Sequence, residues 1–401
     1  MDASILATPQ DDAGGVRELW TMATIVFLVF YSNYMVAPLI PALARAFGVQ
    51  SYDLKWLIPG FSMMYGVATL LYGILSDRFG RYPVLRILLG FAAVTTMSLS
   101  FAKNAHQLVL LRLLSAAGTG GIVTIALSIV GDRYPYMVQG RPMGRIFGAI
   151  AAGMGLGSSL GPLLNPLLGW RNEIRILALG FGAASYWVDQ RAMSKTILQR
   201  TSDSLRQYAL EYRCILDAPR GGRTLAFISA NGAFHGGVFS WLGVFLASRY
   251  HLGEIGIGLV LAGYGVPDLV LGFMIGSWAD RYGRRYVVPI GFFWASVCAL
   301  SLAWHSTPVI SALIITALSV GFDATHPMMS SITTSLDPKH RGQVTGLATF
   351  ANFLGMAIGA LVFRSLMVRG FGTVLTIFAC VEFGVGALAL YAFRTEAPAG
   401  G

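Results

Sequence analysis

The sequence predicts an all-α integral membrane protein whose twelve transmembrane helices form two pseudo-symmetric six-helix bundles. Three observations carry that reading. Only 12% of the 401 residues are Asp, Glu, Lys or Arg, about half the share a soluble protein needs to cover its surface. Apolar runs of about 20 residues, enough to cross a bilayer, recur along the whole chain. Short polar motifs from the first half return in the second at an offset of about 200 residues. With a hydrophobic share of 55%, these features exclude an ordinary soluble enzyme and any disordered or collagen-like chain.

Residues 1–18 form a polar, acidic tail with no basic n-region, so the first apolar run is expected to remain as an anchor and not to be cleaved. A first bundle is expected over 19–190, with spans near 19–45, 54–76, 83–102, 107–132, 143–168 and 173–190. Residues 191–222 form a polar linker whose SKTILQRTSDSLRQYALEYR stretch suits a surface helix. A second bundle is expected over 223–394, with spans near 224–248, 255–279, 286–304, 308–333, 342–367 and 371–393, before a short tail over 395–401.

The net charge of +10 is scattered in clusters between apolar runs, which suits membrane topology and not a nucleic-acid partner. An even number of spans puts both termini on one side. About 20 basic residues fall on that side, Arg78, Arg86, Arg133, Arg141 and Arg145 among them, against about eight on the other. The positive-inside bias therefore makes the termini and the linker cytoplasmic, as in a multi-pass protein of a bacterial inner membrane. Cys214, Cys298 and Cys380 lie far apart with no CxxC pair, so neither a disulfide framework nor a zinc site is expected. No cofactor is expected either.

The repeat is carried by polar loops. GILSDRFGRYPVL at Gly73 to Leu85 returns as GSWADRYGRRYVV at Gly276 to Val288, and YMVQGRPMG at Tyr136 to Gly144 is echoed by DPKHRGQVTG at Asp337 to Gly346. Gly80 and Gly283 permit a tight turn, and the Asp of each copy can face the positive N-terminus of a helix from the other half as a breakable latch. The plainer alternative is a basic loop that only sets topology. Through Gly73, Asp77, Arg78, Gly80 and Arg81, and again through Gly276, Asp280, Arg281, Gly283 and Arg284, the chain resembles the major facilitator superfamily over nearly its whole length. The resemblance implies that Asp77 meets the start of span 11 near Arg341 and Gly342, that Arg81 pairs with Asp132, and that Asp280 reciprocally meets the start of span 5 at Pro142.

Span 4 resembles the superfamily's helix 4 motif through Arg112 and Gly118, with Ser115 and Ala116 where Gln and Gly are usual. An arginine inside the membrane is costly, so Arg112 should face the bundle interior and bond carbonyls or polar partners, either in proton coupling or as an anchor. Span 5 matches the antiporter branch at Gly153, Gly157, Gly161 and Pro162, but carries Asn165 and Pro166 where a final glycine pair is usual. Glycines four apart share one helix face and let another backbone approach, which generic packing would also explain. Pro38 and Pro41 of span 1 resemble the drug:proton antiporter-1 group.

A proton-driven carrier needs a titratable group in the membrane. Asp323, Asp268 and Glu382 are the acids available, and because the superfamily lines its cavity with spans 1, 4, 7 and 10, Asp323 comes first. His326 shares its helix face, and His235 occupies the middle of span 7. Many members of the resembled group carry an acid in span 1, where this chain has Asn33 and Tyr34. Tyr31, Tyr34, Phe234, Trp241, Phe350 and Phe353 can give the cavity an aromatic wall, or simply pack. The resemblance implies two bundles with internal 3+3 inverted repeats rocking about a site at the bilayer midplane. It further implies a monomeric secondary transporter, and no enzyme, that exchanges protons for a small amphipathic compound. The rival readings are a symporter importing a sugar or organic anion through His235, His326 and Arg112, and an integral-membrane lipid-modifying enzyme.

Overall fold

Lipid offers no hydrogen bonds, so each apolar run must satisfy its own peptide groups, and a helix does so within one segment. The computed structural model describes residues 13–134, 140–188, 205–304, 307–335, 341–394 and 396, and the regular structure among them is helical. Every expected span coincides with a helix or a pair of helices. Span 1 is Ala13–Tyr34 with Val36–Phe47, span 2 Leu57–Phe79, span 3 Arg81–Leu99, span 4 Ala105–Thr119 with Ile122–Arg133, span 5 Gly140–Leu168 and span 6 Trp170–Trp187. Leu205–Asp217 forms the expected linker helix, while residues 189–204 lie outside the described residues. Span 7 is Pro219–Tyr250, span 8 Glu254–Leu261 with Val266–Tyr282, span 9 Arg284–Ala303, span 10 Pro308–Thr334, span 11 Arg341–Leu366 and span 12 Phe371–Ala392.

Among the described residues eight helical segments are long and apolar enough to cross a membrane unaided, and the two parts of span 1 together make a ninth. The remaining three spans have reasons to fall short. Span 6 opens on Arg171, Glu173 and Arg175, span 7 is rich in glycine and polar residues, and span 8 is split.

Three spans expected to be continuous are broken, and each break has a cause in the residues. Span 1 bends by 47° at Met35, because Pro38 has no N–H to give the Tyr34 carbonyl and its ring crowds that turn. Span 4 breaks at Gly120 and Gly121, where span 2 presses close: a Cβ on Gly120 would lie 2.6 Å from the Tyr65 carbonyl oxygen. The Thr69 hydroxyl donates to the Gly120 carbonyl at that break. Span 8 breaks between Leu261 and Val266, since Pro267 cannot donate to Gly263.

Glycine seams hold the helices together. Gly153, Gly157 and Gly161 of span 5 lie along span 1 at Phe27, Tyr31 and Met35, and a Cβ on Gly157 would sit 2.6 Å from the Tyr31 carbonyl oxygen. The second half repeats the arrangement between spans 7 and 11, where Gly232 and Gly236 face Asn352 and Met356. Across the halves, Gly155 of span 5 meets Gly265 of span 8, Gly243 of span 7 meets Pro38, and Tyr65 of span 2 stacks on Phe353 of span 11 with ring centroids 4.2 Å apart. Backbone contact of this kind replaces the hydrophobic drive that lipid cannot supply between helices.

The span 1–span 5 seam makes a stability prediction. Gly157→Val is expected to lower the thermal midpoint in detergent by the equivalent of about 1–3 kcal/mol, the usual cost of overpacking. Gly73→Ala, with nothing within 4 Å of the added methyl, should leave the midpoint unchanged or raise it slightly, since alanine is the better helix former. Equal midpoints for Gly157→Val and the unmodified protein would show that the seam tolerates expansion.

Candidate functional site

The breaks in spans 1 and 8 place two tyrosines on either side of one histidine. Tyr34, at the bend of span 1, lies 3.1 Å through its hydroxyl from His235 Nε2, and Tyr264, inside the break of span 8, lies 3.1 Å from His235 Nδ1. All three residues are at most 6% exposed. A neutral imidazole has one N–H and one lone pair, so in either tautomer it donates to one tyrosine and accepts from the other. The triad ties the first half to the second through the Tyr34–His235 hydrogen bond.

Aromatic rings enclose it. Phe239 stacks on one side of His235 with centroids 5.5 Å apart, and Phe322 of span 10 stacks at 4.1 Å. His326 lies on Phe322 in turn, at 5.1 Å, and its Nδ1 is buried without a partner among the described residues. Phe234, Leu318 and Asn231 complete the wall of a narrow cavity beside His235. Asn231 accepts from the Thr325 hydroxyl at 3.1 Å, linking spans 7 and 10.

A second narrow cavity lies in the first half around Arg112, lined by Ser32, Thr96, Trp170 and aliphatic side chains. Arg112 is 3% exposed, donates to the Ser32 carbonyl at 2.9 Å and lies 3.9 Å over the Phe61 ring. The Ser32 carbonyl is available because it belongs to the last turn before the bend. Carbonyl and ring electrons, and no acid among the described residues, thus hold this charge. Asn33 is close by, with both amide atoms buried and unpartnered among the described residues.

The polar loop between spans 2 and 3 turns on Gly80, whose φ is 92°, and its copy on Gly283, whose φ is 86°. Arg81 pairs with Asp132 at the end of span 4, donates to the Ser128 carbonyl and lies 3.9 Å from Asp77. Arg78 and Arg281 cover the neighbouring Phe79 and Tyr282 rings. Gly73 and Gly276 lie within the helices that lead into the two turns. The side chains of Asp280, Asp268, Asp323 and Arg341 are outside the described residues, as is that of Gly342's position.

Near the second copy lies an acid that sequence reasoning passed over. Glu396, 7% exposed, accepts two hydrogen bonds from Arg220 at 2.9 and 2.8 Å and lies 3.3 Å from Arg223, while its carbonyl accepts from the Arg285 amide. The Arg220 hydrogen bonds hold its carboxyl below the usual glutamate range against the opposing effect of burial, with Arg223 and Arg284 adding to the pull. Nothing in the local pattern marked Glu396, which reaches span 7 only through the fold.

The proposed aromatic wall divides. Tyr34 and Phe234 do face the His235 cluster. Trp241 lines neither cavity; it donates to the Ala360 carbonyl at 3.1 Å and packs spans 7 and 11 together. Phe350 and Phe353 lie against Gly66 in the span 2–span 11 seam, and the backbone of Tyr31 is held against Gly157. Glu382 is buried in span 12, with Oε1 unpartnered. Glu173, hidden in the sequence between Arg171 and Arg175, is likewise buried, with both carboxylate oxygens unpartnered among the described residues. Among the described residues no three His, Cys, Asp or Glu side chains gather as a metal site.

Twelve spans in two related halves, duplicated glycine turns and polar groups buried at the seam between halves are the features of a secondary carrier. The family model of the Major Facilitator Superfamily matches residues 22–257 and again 224–401, and the chain belongs to that superfamily. It is therefore a multi-pass membrane transporter and not an enzyme. It is 26% identical over 375 residues to an uncharacterized MFS-type transporter, YwfA of Bacillus subtilis (strain 168), covering 92% of this chain and 90% of that one. It is 27% identical over 265 residues to a chloramphenicol resistance protein of Pseudomonas aeruginosa, covering 64% of this chain and 61% of that one. The crystal structure of the human organic anion transporter MFSD10 superposes with a TM-score of 0.73 at 17% identity, over 94% of this chain and 99% of that one.

The triad yields a test of coupling. Tyr34→Phe and Tyr264→Phe should each lower stability by about 1 kcal/mol, the net worth of one hydrogen bond. Because both bond the same imidazole, the double variant should depart from additivity by at least 0.5 kcal/mol on the usual scale for shared networks, read from thermal or denaturant unfolding. Strict additivity would mean the two hydroxyls act independently.

Proposed function

We propose that this transporter is a proton-coupled exporter of small amphipathic compounds, working by rocker-switch alternating access. The observation that carries the reading is the buried Tyr34–His235–Tyr264 triad in an aromatic cage at the seam between the halves. Rings of Phe234, Phe239 and Phe322 offer flat apolar surface with a few fixed polar groups, a combination that suits molecules with an apolar body and a polar end. Separating the halves must break or exchange the triad's hydrogen bonds, so solvent and substrate reach His235 as the site opens. The span 5 seam built on Gly153, Gly157 and Gly161, and the likeness to a chloramphenicol resistance protein, support export.

In this mechanism Asp323 on span 10 binds the driving proton, with His326 and His235 as exchange partners and Asp268 as the alternative acid. Asp77 and Asp280 bias the gates, and Arg81 with Asp132 steadies the loop that carries Asp77. The protein acts as a monomer in a bacterial inner membrane with both termini cytoplasmic, and protons and the transported compound are its only small partners. A second reading, import of a sugar or organic anion by proton symport, is favoured by Arg112, a buried cation that binds carbonyls and an aromatic ring.

In proteoliposomes loaded with the best ligand from a thermal-shift screen of amphipathic compounds, an imposed pH gradient should drive movement against the proton's direction. Movement with the proton would establish the second reading. Asp323→Asn should abolish accumulation while downhill exchange partly survives, whereas Asp268→Asn and Glu382→Gln should lower stability more than coupling. Continued pumping by Asp323→Asn together with its loss in Asp268→Asn would transfer the proton to span 8. An accessibility tag at Ser202 should label only from the cytoplasmic side; labelling from outside would invert the topology.

A further inference from the structure

Among the described residues Glu173 is a buried carboxylate with neither oxygen partnered. It lies in the first turn of span 6, 4% exposed. The Tyr31 phenol of span 1 is within electrostatic range, and Glu254 at the start of span 8, in the other half, presents like charge to it. Glu254 has its own partners: Arg45 of span 1 pairs with it, and Asn165 of span 5 donates to it at 2.5 Å.

The remaining cations are committed or remote. Arg171 donates to the Ala102 carbonyl and covers Trp170, and Arg175 bonds Ser100 and Asn172. Spans 3 and 5, which pack along span 6, carry their only charged residues at the opposite ends, Arg81 and Arg86 on one and Arg141 and Arg145 on the other. Span 1 contributes Arg45, already held by Glu254, and Arg112 of span 4, which shares a cavity with Trp170 and Ile174 of span 6, is held by the Ser32 carbonyl and the Phe61 ring. A carboxylate that is buried and unpaired is too costly to keep ionised.

The same place is where the halves meet on the face remote from the termini. Arg45 and Asn165 reach across to Glu254, and Gly258 of span 8 lies against Ser159 and Leu163 of span 5. We propose that Glu173 is the titratable residue of this gate: the halves close there only when its carboxyl carries a proton. Opening draws Glu254 away from Arg45, admits water to Glu173 and lets its proton pass to that water; closing requires a proton to return from water to the carboxylate. The closed form is thus favoured at low pH and lost as pH rises. The inference rests on the alternating-access reading, and not on which acid drives transport.

The test is a distance across the gate without substrate or gradient. Spin labels at Val49→Cys and Leu252→Cys, in a background with Cys214, Cys298 and Cys380 replaced by Ser, report open and closed populations by pulsed electron resonance in detergent. The expected result is a closed-to-open ratio that falls tenfold per pH unit over the titrating range, as one linked proton requires. Glu173→Gln should stay closed across that range, and Glu173→Asp should keep the pH response. A pH response in Glu173→Gln equal to that of the labelled parent, no pH response in the parent, or closure that follows sodium at constant pH would overturn the proposal. Transport that is not driven by protons would refute the exporter reading and leave the gate measurement intact.

Discussion

The hydrocarbon interior supplies no water to a free peptide group, and every feature of this protein is arranged around that constraint. Helices meet it along most of the chain. Where proline and glycine interrupt them, the interruptions face protein, and the freed groups are reused. Arg112 takes the Ser32 carbonyl at the end of the first part of span 1, and Thr69 takes the Gly120 carbonyl in span 4. The breaks also aim side chains that a straight helix would point elsewhere: Tyr34 and Tyr264 both sit at interruptions, and both reach His235. The candidate site is in this sense a product of the places where regular structure stops.

Duplication supplies the frame, and divergence supplies the chemistry. Spans 1 and 5 are sewn by glycines much as spans 7 and 11 are, and Gly80 and Gly283 turn their loops with nearly the same backbone angle. Among the described residues the charge pairs near those loops differ. Arg81 finds Asp132 at the end of span 4, while Arg220, Arg223 and Arg284 of the second half converge on Glu396 beyond span 12. The two halves share a scaffold but are held at their ends by different charge pairs.

Charge inside the membrane is scarce here, so each instance carries information. Arg112 is satisfied in part by a carbonyl and a ring, an arrangement that preserves its charge while leaving Nε unpartnered. Glu173 has no such support. A transporter must pass through states in which these groups meet water and states in which they do not, and the cost of burying an ionised group couples the two.

Composition and periodicity by themselves determined the membrane setting, the twelve spans, the internal repeat and the positions of the two glycine turns. All of these are local or statistical properties: a run of 20 apolar residues reads as a span wherever it folds, and a glycine between a helix and a basic cluster reads as a turn. The pairing of Arg81 with Asp132 was legible too, through resemblance. What only the tertiary structure decided are the contacts between residues far apart in the chain. His235 was a lone histidine until Tyr34, 201 positions earlier, was brought to it. Trp241 read as a cavity wall and is a packing residue, because its face toward span 11 is set by helix rotation, which a period cannot specify. Glu173 lies in the sequence between two arginines, but those arginines turn away to Ala102 and Ser100, and burial leaves both its oxygens unpartnered among the described residues.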